Sequence, residues 1–384
     1  MVNGVLPHQE IKSLINSGGI ILENGSRPLI ENLEDDKIGG ASYEPTLGNR
    51  LYSMQSSVLP FNGKNLLERL EKENLYNFGL NREEVKFLEK SRVCVVPLNE
   101  SLDLGERFIG ESTGRSSVGR TNTVLRLLTD DHQRYNFIPS GYRGKLFLEI
   151  YSGSFPIEIK QGLSLNQIKF AYGVPSFEDQ SINLDEASLN MLHNTHPILY
   201  DENGGALRLD DKIEKDSVIM NLRLTGEGPF VLKARHNVPT PIDFSRNFSK
   251  EENKYAIDDF WEEVPVKDGG VILNPGEFYL MITKERISVP HDCVTKMVPY
   301  DLNLADLKTQ EADLFNPGHG VLTKGFSPVL EVKAFGQPIE VRDGYPICRI
   351  IYQKLRKEPN IKLYDSSNEA YVEQVRVNPG KMFK

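Results

Sequence analysis

One stretch of this chain is written twice. "LEIYSGSFPIEIKQG", beginning at Leu148, returns 182 positions later as "LEVKAFGQPIEVRDG", beginning at Leu330. Without a gap, Leu148 matches Leu330, Glu149 matches Glu331, Pro156 matches Pro338, Ile157 matches Ile339, Glu158 matches Glu340 and Gly162 matches Gly344. Further on, Ile168 matches Ile350, and Phe170 is replaced by Tyr352. A second pair, "FIPSGYRG" from Phe137 and "FNPGHG" from Phe315, lies upstream of the first in both halves. Two matched runs in the same order point to two copies of one module. The polar, turn-rich stretch over 185–215 separates them, giving expected domains of 1–195 and 196–384.

Each copy has the signature of a mainly β module. "GKLFLEIYS", "PIEIKQG", "NQIKFAY", "VILNPGEFYLMI", "PVLEVKAF" and "ICRIIYQKL" are short and rich in β-branched and aromatic residues. Gly, Pro, Asn or Asp bounds them. "PIEIK" alternates, with its isoleucines on one face. Helical spacing is confined to "LPHQEIKSLINSG" and "NGKNLLERLEKENLY". Many short strands and a few short helices favour a closed or double-sheet antiparallel architecture.

Charge and cysteine usage narrow the partners. The 45 basic and 54 acidic residues leave a net charge of −9, which argues against a nucleic-acid polymer as ligand but permits one anionic ligand at a local arginine cluster. The three cysteines are widely spaced, so a reducing cytoplasm is expected rather than a disulfide framework. The N-terminus lacks a basic and then apolar leader pattern, and no apolar run approaches the ~20 residues of a membrane helix, so no membrane partner is expected.

Two motifs carry candidate chemistry. "RSSVGR" places Arg115, Ser116, Ser117 and Arg120 in a glycine-flanked turn. A guanidinium fork and adaptable hydroxyls match phosphate oxygens, although the same stretch also fits a solvated surface turn. "LFLEIYSG" places Glu149 in an apolar strand. It is either an exposed-face residue or a general base with Arg120 as its charge partner. Between them, Thr129, Asp130 and Asp131 form either a hairpin turn or a loop that offers backbone groups to a base. His132 and His319 show no metal spacing and read as surface or loop residues. The His-x-Glu and Cys-x-x-Cys pattern of zinc deaminases is absent, as are a P-loop and a nucleophile elbow.

"GRSSVGR" followed by "IPSGYRGKLFLEIYSGSFPIEIKQGLSLNQIKF" resembles the dCTP deaminase branch of the dUTPase-like superfamily. "IGGASYEPTLG" resembles an early strand of that family, and "VPHDCVTKMVPYD", "FNPGHG" and "PVLEVKAF" are similar to the C-terminal half of its long, internally duplicated bacterial form. The resemblance implies two tandem distorted β-barrel or jelly-roll modules, the first catalytic and the second degenerate. It implies a homotrimer and hydrolytic deamination of dCTP to dUTP and ammonia, feeding dUTP and dTTP synthesis. Mg²⁺ would accompany the triphosphate, and zinc would play no part. Glu149 would be the acid/base, with Arg120 beside it; Arg115, Ser116, Ser117, Thr129, Asp130, Tyr142 and Gln167 would contact substrate. Tyr371, Gln374 and Lys381 are candidates for a tail that closes over the triphosphate, a stretch that also fits a surface tail.

Three departures qualify this. Ile138-Pro139-Ser140-Gly141 stands where the family often has Ile-Asp-Pro-Gly, "TDDHQRYNF" lengthens the segment before Glu149, and the C-terminal stretch is only loosely similar. The competing readings are a dUTPase, a bifunctional deaminase and diphosphatase, and a non-catalytic nucleotide-binding regulator.

Overall fold

The computed structural model describes residues 2–22, 37–59, 65–130, 132–301, 313–361 and 376–384, and the backbone of 307–309. The chain divides into two compact units, Met1–Asp179 with Pro239–Asn247, and Gln180–Val238 with Phe248–Lys384.

The first half contains the strands β1 (Gly4–Val5), β2 (Ile20–Leu22), β3 (Arg50–Met54), β4 (Tyr76–Gly79), β5 (Lys86–Leu88) and β6 (Val93–Asp103). They are followed by β7 (Phe108–Gly114), β8 (Thr123–Thr129), β9 (Phe137–Ile138), β10 (Arg143–Ser152), β11 (Ile157–Ile159) and β12 (Asn166–Tyr172). Its helices are α1 (His8–Asn16), α2 (Leu66–Glu73) and the single turn α3 (Ser116–Gly119). The second half adds α4 (Glu186–Thr195) and α5 (Ile257–Phe260). Its strands are β13 (Leu199–Tyr200), β14 (Val218–Asn221), β15 (Leu232–Ala234), β16 (Ile242–Asp243), β17 (Trp261–Glu263), β18 (Gly270–Leu273) and β19 (Phe278–Ile282). They continue with β20 (Arg286–Ile287), β21 (Cys293–Pro299), β22 (Leu307–Thr309), β23 (Leu314–Phe315), β24 (Val329–Ala334), β25 (Ile339–Arg342) and β26 (Pro346–Lys354).

Strand order repeats as the sequence does. One sheet runs β4-β3-β6-β10-β8, with β2 also on β6, and its counterpart runs β17-β15-β19-β24-β22. A second runs β1-β12-β7-β9, and its counterpart runs β14-β26-β21-β23. The matched runs of the sequence are therefore β10 to β12 and β24 to β26, and the chain is mainly β in two tandem modules. The alternation in "PIEIK" is realised: Ile157 and Ile159 are buried and Glu158 is half-buried between them.

Both expected helices form. Asn65 Oδ1 caps α2 by accepting from the N–H groups of Leu67 and Glu68, and Leu66 and Leu70 turn inward. The stretch after Asp179 differs from its polar, turn-rich reading. Asp185 accepts from the Ser188 N–H at 2.9 Å and starts α4, whose only fully buried residue is Leu189. A helix with so little apolar surface leaves a weak periodic signal. His319 lies in a turn, as the loop reading has it, but not at the surface: it is buried and stacked on Phe326, with centroids 3.5 Å apart and planes 4° from parallel.

Two segments depart from simple tandem order. β16, from the second half, joins the first unit as a parallel neighbour of β11 in the order β16-β11-β5, with Ile157 opposite Ile242. At the C-terminus, the Lys384 N–H donates to Tyr255 C=O at 2.9 Å, and Phe383 packs among Tyr255, Phe260 and Trp261. The surface-tail alternative therefore fails for the last residues: Val377, Met382 and Phe383 are buried, although Lys381 is exposed. Tyr371 and Gln374 lie outside the described residues. No helix among the described residues is long and apolar enough to cross a membrane.

Candidate active site

Glu149 sits in the middle of β10, between Val95 of β6 and Arg126 of β8. Directly opposed residues of antiparallel strands project to one face, so Glu149 shares its face with Val95, Arg126 and, one strand further, Tyr52. That face carries an apolar cluster of Tyr52, Met54, Val58, Leu66, Leu70, Val95, Leu128 and Phe147. The exposed-face alternative is thus excluded: Glu149 is 1% exposed.

A carboxylate buried there requires donors. Three groups supply them. The Ser57 hydroxyl donates to Oε1 at 2.6 Å, the Val58 N–H donates to Oε2 at 2.9 Å, and Arg126 Nη1 donates to Oε1 at 3.1 Å. Arg126 Nη1 also donates to Ser57 Oγ at 3.0 Å, and the Tyr135 hydroxyl lies 2.8 Å from Ser57 Oγ. The Arg126 guanidinium rests over the Tyr135 ring, 4.8 Å from its centroid. The expected pairing of Glu149 with Arg120 gives way to this one because register decides it. Arg126 is the residue opposite Glu149, whereas Arg120 precedes β8, at the C-terminal end of α3.

The arginine-serine motif forms a separate group. Arg115 opens α3, and its Nη1 donates to Ser164 C=O at 3.1 Å and pairs with Glu44 Oε2 at 3.2 Å. Lys37 Nζ donates to Ser164 Oγ at 2.7 Å. Ser116 and Ser117 are half-buried, and their hydroxyls bond to nothing among the described residues. Arg120 is buried and donates its N–H to Ser116 C=O at 3.1 Å. The cluster thus presents cationic nitrogens and two uncommitted hydroxyls, a set that suits an anion.

The remaining candidates divide. Asp130 Oδ1 accepts from the Leu66 N–H at 2.9 Å, and the Asp130 N–H donates to the Tyr142 hydroxyl oxygen at 3.2 Å. The Tyr142 hydroxyl in turn donates to Lys145 C=O, so both residues tie the β8–β10 connection together. The Thr129 side chain is buried on the face of β8 opposite to Arg126, and its Oγ1 has no partner among the described residues. Gln167, on β12, accepts from the Ser42 hydroxyl at 3.1 Å.

Sequence reasoning missed Ser57, Arg126, Tyr135 and Glu44. An arginine inside the apolar run "TVLRLLT" was the available signal for Arg126. Nothing local marked Ser57, which is 92 positions from its partner.

Known proteins match both halves of the chain. Residues 2–174 match the model of the 2'-deoxycytidine 5'-triphosphate deaminase N-terminal domain, and residues 185–383 match that of its C-terminal domain. A dCTP deaminase from Shewanella amazonensis is 25% identical over 167 residues, 42% of this chain and 79% of that protein. A "dCTP deaminase, dUMP-forming" from Methanococcus maripaludis is 29% identical over 161 residues, 38% of this chain and 75% of that protein. The crystal structure of 2'-deoxycytidine 5'-triphosphate deaminase from Agrobacterium tumefaciens superposes with a TM-score of 0.81 at 26% identity, covering 94% of this chain and 97% of that one. With both halves matched, this chain belongs to the 2'-deoxycytidine 5'-triphosphate deaminase family.

Proposed function

We propose that this protein hydrolyses dCTP to dUTP and ammonia, with Glu149 as its proton-transfer group. The observation that carries this reading is a buried carboxylate held by three donors at the centre of β10. Water attacks C4 of cytosine, Glu149 takes its proton, and the same carboxyl returns a proton to the departing amine. C4 keeps the oxygen and becomes a carbonyl, the second proton of the water ends on N3, and the C4 nitrogen leaves as ammonia. No zinc step is needed, because the carboxylate activates the water. The dUTP formed would supply dTTP synthesis.

Arg115, Ser116 and Ser117 take the triphosphate. Glu44 and Ser164 hold the Arg115 fork in place, so little freedom is lost when phosphate arrives. Magnesium would reach the site on the triphosphate. No group of three or more metal-binding side chains occurs among the described residues, and Mg²⁺ commonly binds through phosphate oxygens, water and few carboxylates. The residues present fit that arrangement: phosphate oxygens and water would hold the ion, while Arg115 and the serines take the remaining oxygens. Bound there, it would neutralise triphosphate charge. We further infer a homotrimer in the cytoplasm. Three copies of the 43.4 kDa chain weigh about 130 kDa, and a light-scattering mass near one chain would reject the assembly.

A second reading is a bifunctional enzyme that also releases pyrophosphate, favoured by the relative named dUMP-forming. One experiment separates the two. The protein is incubated with dCTP and Mg²⁺, and ammonia, dUTP, dUMP and pyrophosphate are measured. Ammonia with dUTP supports the first reading, ammonia with dUMP and pyrophosphate the second, and no ammonia overturns both.

A further inference from the structure

We propose that Ser57, Arg126 and Tyr135 are positioning residues that lock Oε1 of Glu149 and leave Oε2 as the oxygen that moves protons. This rests on the role given to Glu149 above.

The argument is a count of lone pairs and hydrogens. Oε1 accepts from both Ser57 and Arg126, which fills its two lone pairs. Oε2 accepts from the Val58 N–H and from no other described group, so one lone pair remains. Ser57 gives its only hydrogen to Glu149 and accepts from Arg126. The Tyr135 hydroxyl must therefore donate to Ser57 Oγ, and that hydroxyl is then fully committed. Neither Ser57 nor Arg126 can rotate away without breaking two bonds. Tyr135 fixes both partners, one through its hydroxyl and the other through its ring face.

A carboxylate that could spin about its terminal torsion would present either oxygen in many directions. Here rotation would take Oε1 from two donors at once. Oε2 is therefore the oxygen available to the attacking water, and the network sets its direction. Tyr135 lies in the "TDDHQRYNF" segment, so that insert acquires a purpose: it brings the tyrosine to Ser57.

Steady-state turnover of dCTP by the full-length protein tests this, with guanidinium rescue as the discriminating readout. Arg126→Ala is expected to lower kcat on the order of 10²-fold, the usual result of slight misplacement of a reacting group. KM should stay within about threefold, because Arg126 does not belong to the phosphate-binding group. Guanidinium chloride at non-denaturing concentration should restore part of kcat, and Arg126→Lys should recover less than the parent, because an ammonium lacks the planar fork. Tyr135→Phe removes one hydroxyl and should lower kcat several-fold with KM unchanged. Thermal melts and near-UV circular dichroism verify folding, and where Arg126→Ala does not fold, Tyr135→Phe decides alone. Parental kcat in the deciding variant, beside an inactive Glu149→Gln, overturns the positioning role. So does a loss carried wholly by KM, or the absence of guanidinium rescue in a folded Arg126→Ala. Retained turnover in Glu149→Gln overturns instead the underlying reading of Glu149.

Discussion

Glu149 and Glu331 occupy the same place in two copies of one sheet. Glu149 lies on β10 between β6 and β8, and Glu331 lies on β24 between β19 and β22. Both are buried. The segments that follow the equivalent strands β7 and β21 differ. Glu149 faces Arg126, and the strand leading to the first-half motif, β7, runs into Arg115, Ser116 and Ser117. The equivalent strand β21 runs into Tyr300 and Asp301, where the Tyr300 hydroxyl donates to Glu214 Oε2 at 2.9 Å.

One site per chain is the expectation that two substitutions test. Glu149→Gln is expected to lose deamination by 10²-fold or more, the typical contribution of general acid/base catalysis. The amide keeps the shape of the side chain but leaves Arg126 without its anion, so a stability loss of roughly 1–3 kcal/mol accompanies it. Glu331→Gln should lose stability without losing kcat. Equal losses of turnover in the two variants would disprove a silent second module.

Arg115→Ala should weaken dCTP binding by about 1.5–3 kcal/mol, the worth of a charge-assisted contact, which corresponds to at least tenfold in Kd. Because the contact is ionic, parental binding should weaken as salt rises, and the variant's should weaken less. Calorimetry at two salt concentrations checks both. Unchanged affinity in the variant would rule out Arg115 as the phosphate grip.

The fold was more legible than the site because repetition and alternation are local signals. The Leu-Glu run located β10 and β24, and "PIEIK" placed its isoleucines correctly. What decides the surroundings of Glu149 is the register between β8 and β10, where a two-residue slip would place a different side chain opposite it. Arg120 and Arg126 were both available in the sequence, and only pairing selects Arg126. Ser57 and Tyr135 come from segments far apart in sequence and meet only after folding.

The cysteines give a prediction that needs no substrate. Burial pushes the Cys94 thiol up to about 12 and those of Cys293 and Cys348 higher still, from an ordinary value of 9.0. A thiol that stays protonated is a poor nucleophile. No thiol should react with Ellman's reagent at pH 8 in the native protein, and all three should react after unfolding. The unfolded chain ionises these thiols near pH 9 and the folded chain does not. It therefore holds fewer protons than the folded one above that pH, and stability should fall as pH rises from 9 towards 12. A rapidly reacting native thiol would contradict this burial.

The segment that returns to the first unit gives the last prediction. Ile242 is fully buried, its N–H donates to Pro156 C=O at 3.0 Å, and the Phe244 N–H donates to Glu158 C=O at 3.1 Å. These bonds close the edge of β11, which would otherwise be open to pairing with other chains. A polypeptide ending at residue 195 lacks this strand and leaves Ile157 and Ile159 at an uncovered edge, so it should aggregate where the full chain does not. Ile242→Ala in the full chain isolates the packing contribution and should cost about 2–5 kcal/mol, as buried Ile→Ala changes do. Urea unfolding followed by intrinsic fluorescence checks it. The only tryptophan, Trp261, reports on the second unit alone, whereas tyrosine emission reports on both units, since seven of the fifteen tyrosines belong to the first. Part of the tyrosine transition, the part carried by the first unit, should move to lower urea while the tryptophan transition holds. Movement of the tryptophan transition alone, or of neither, would show that residues 239–247 do not stabilise the first unit.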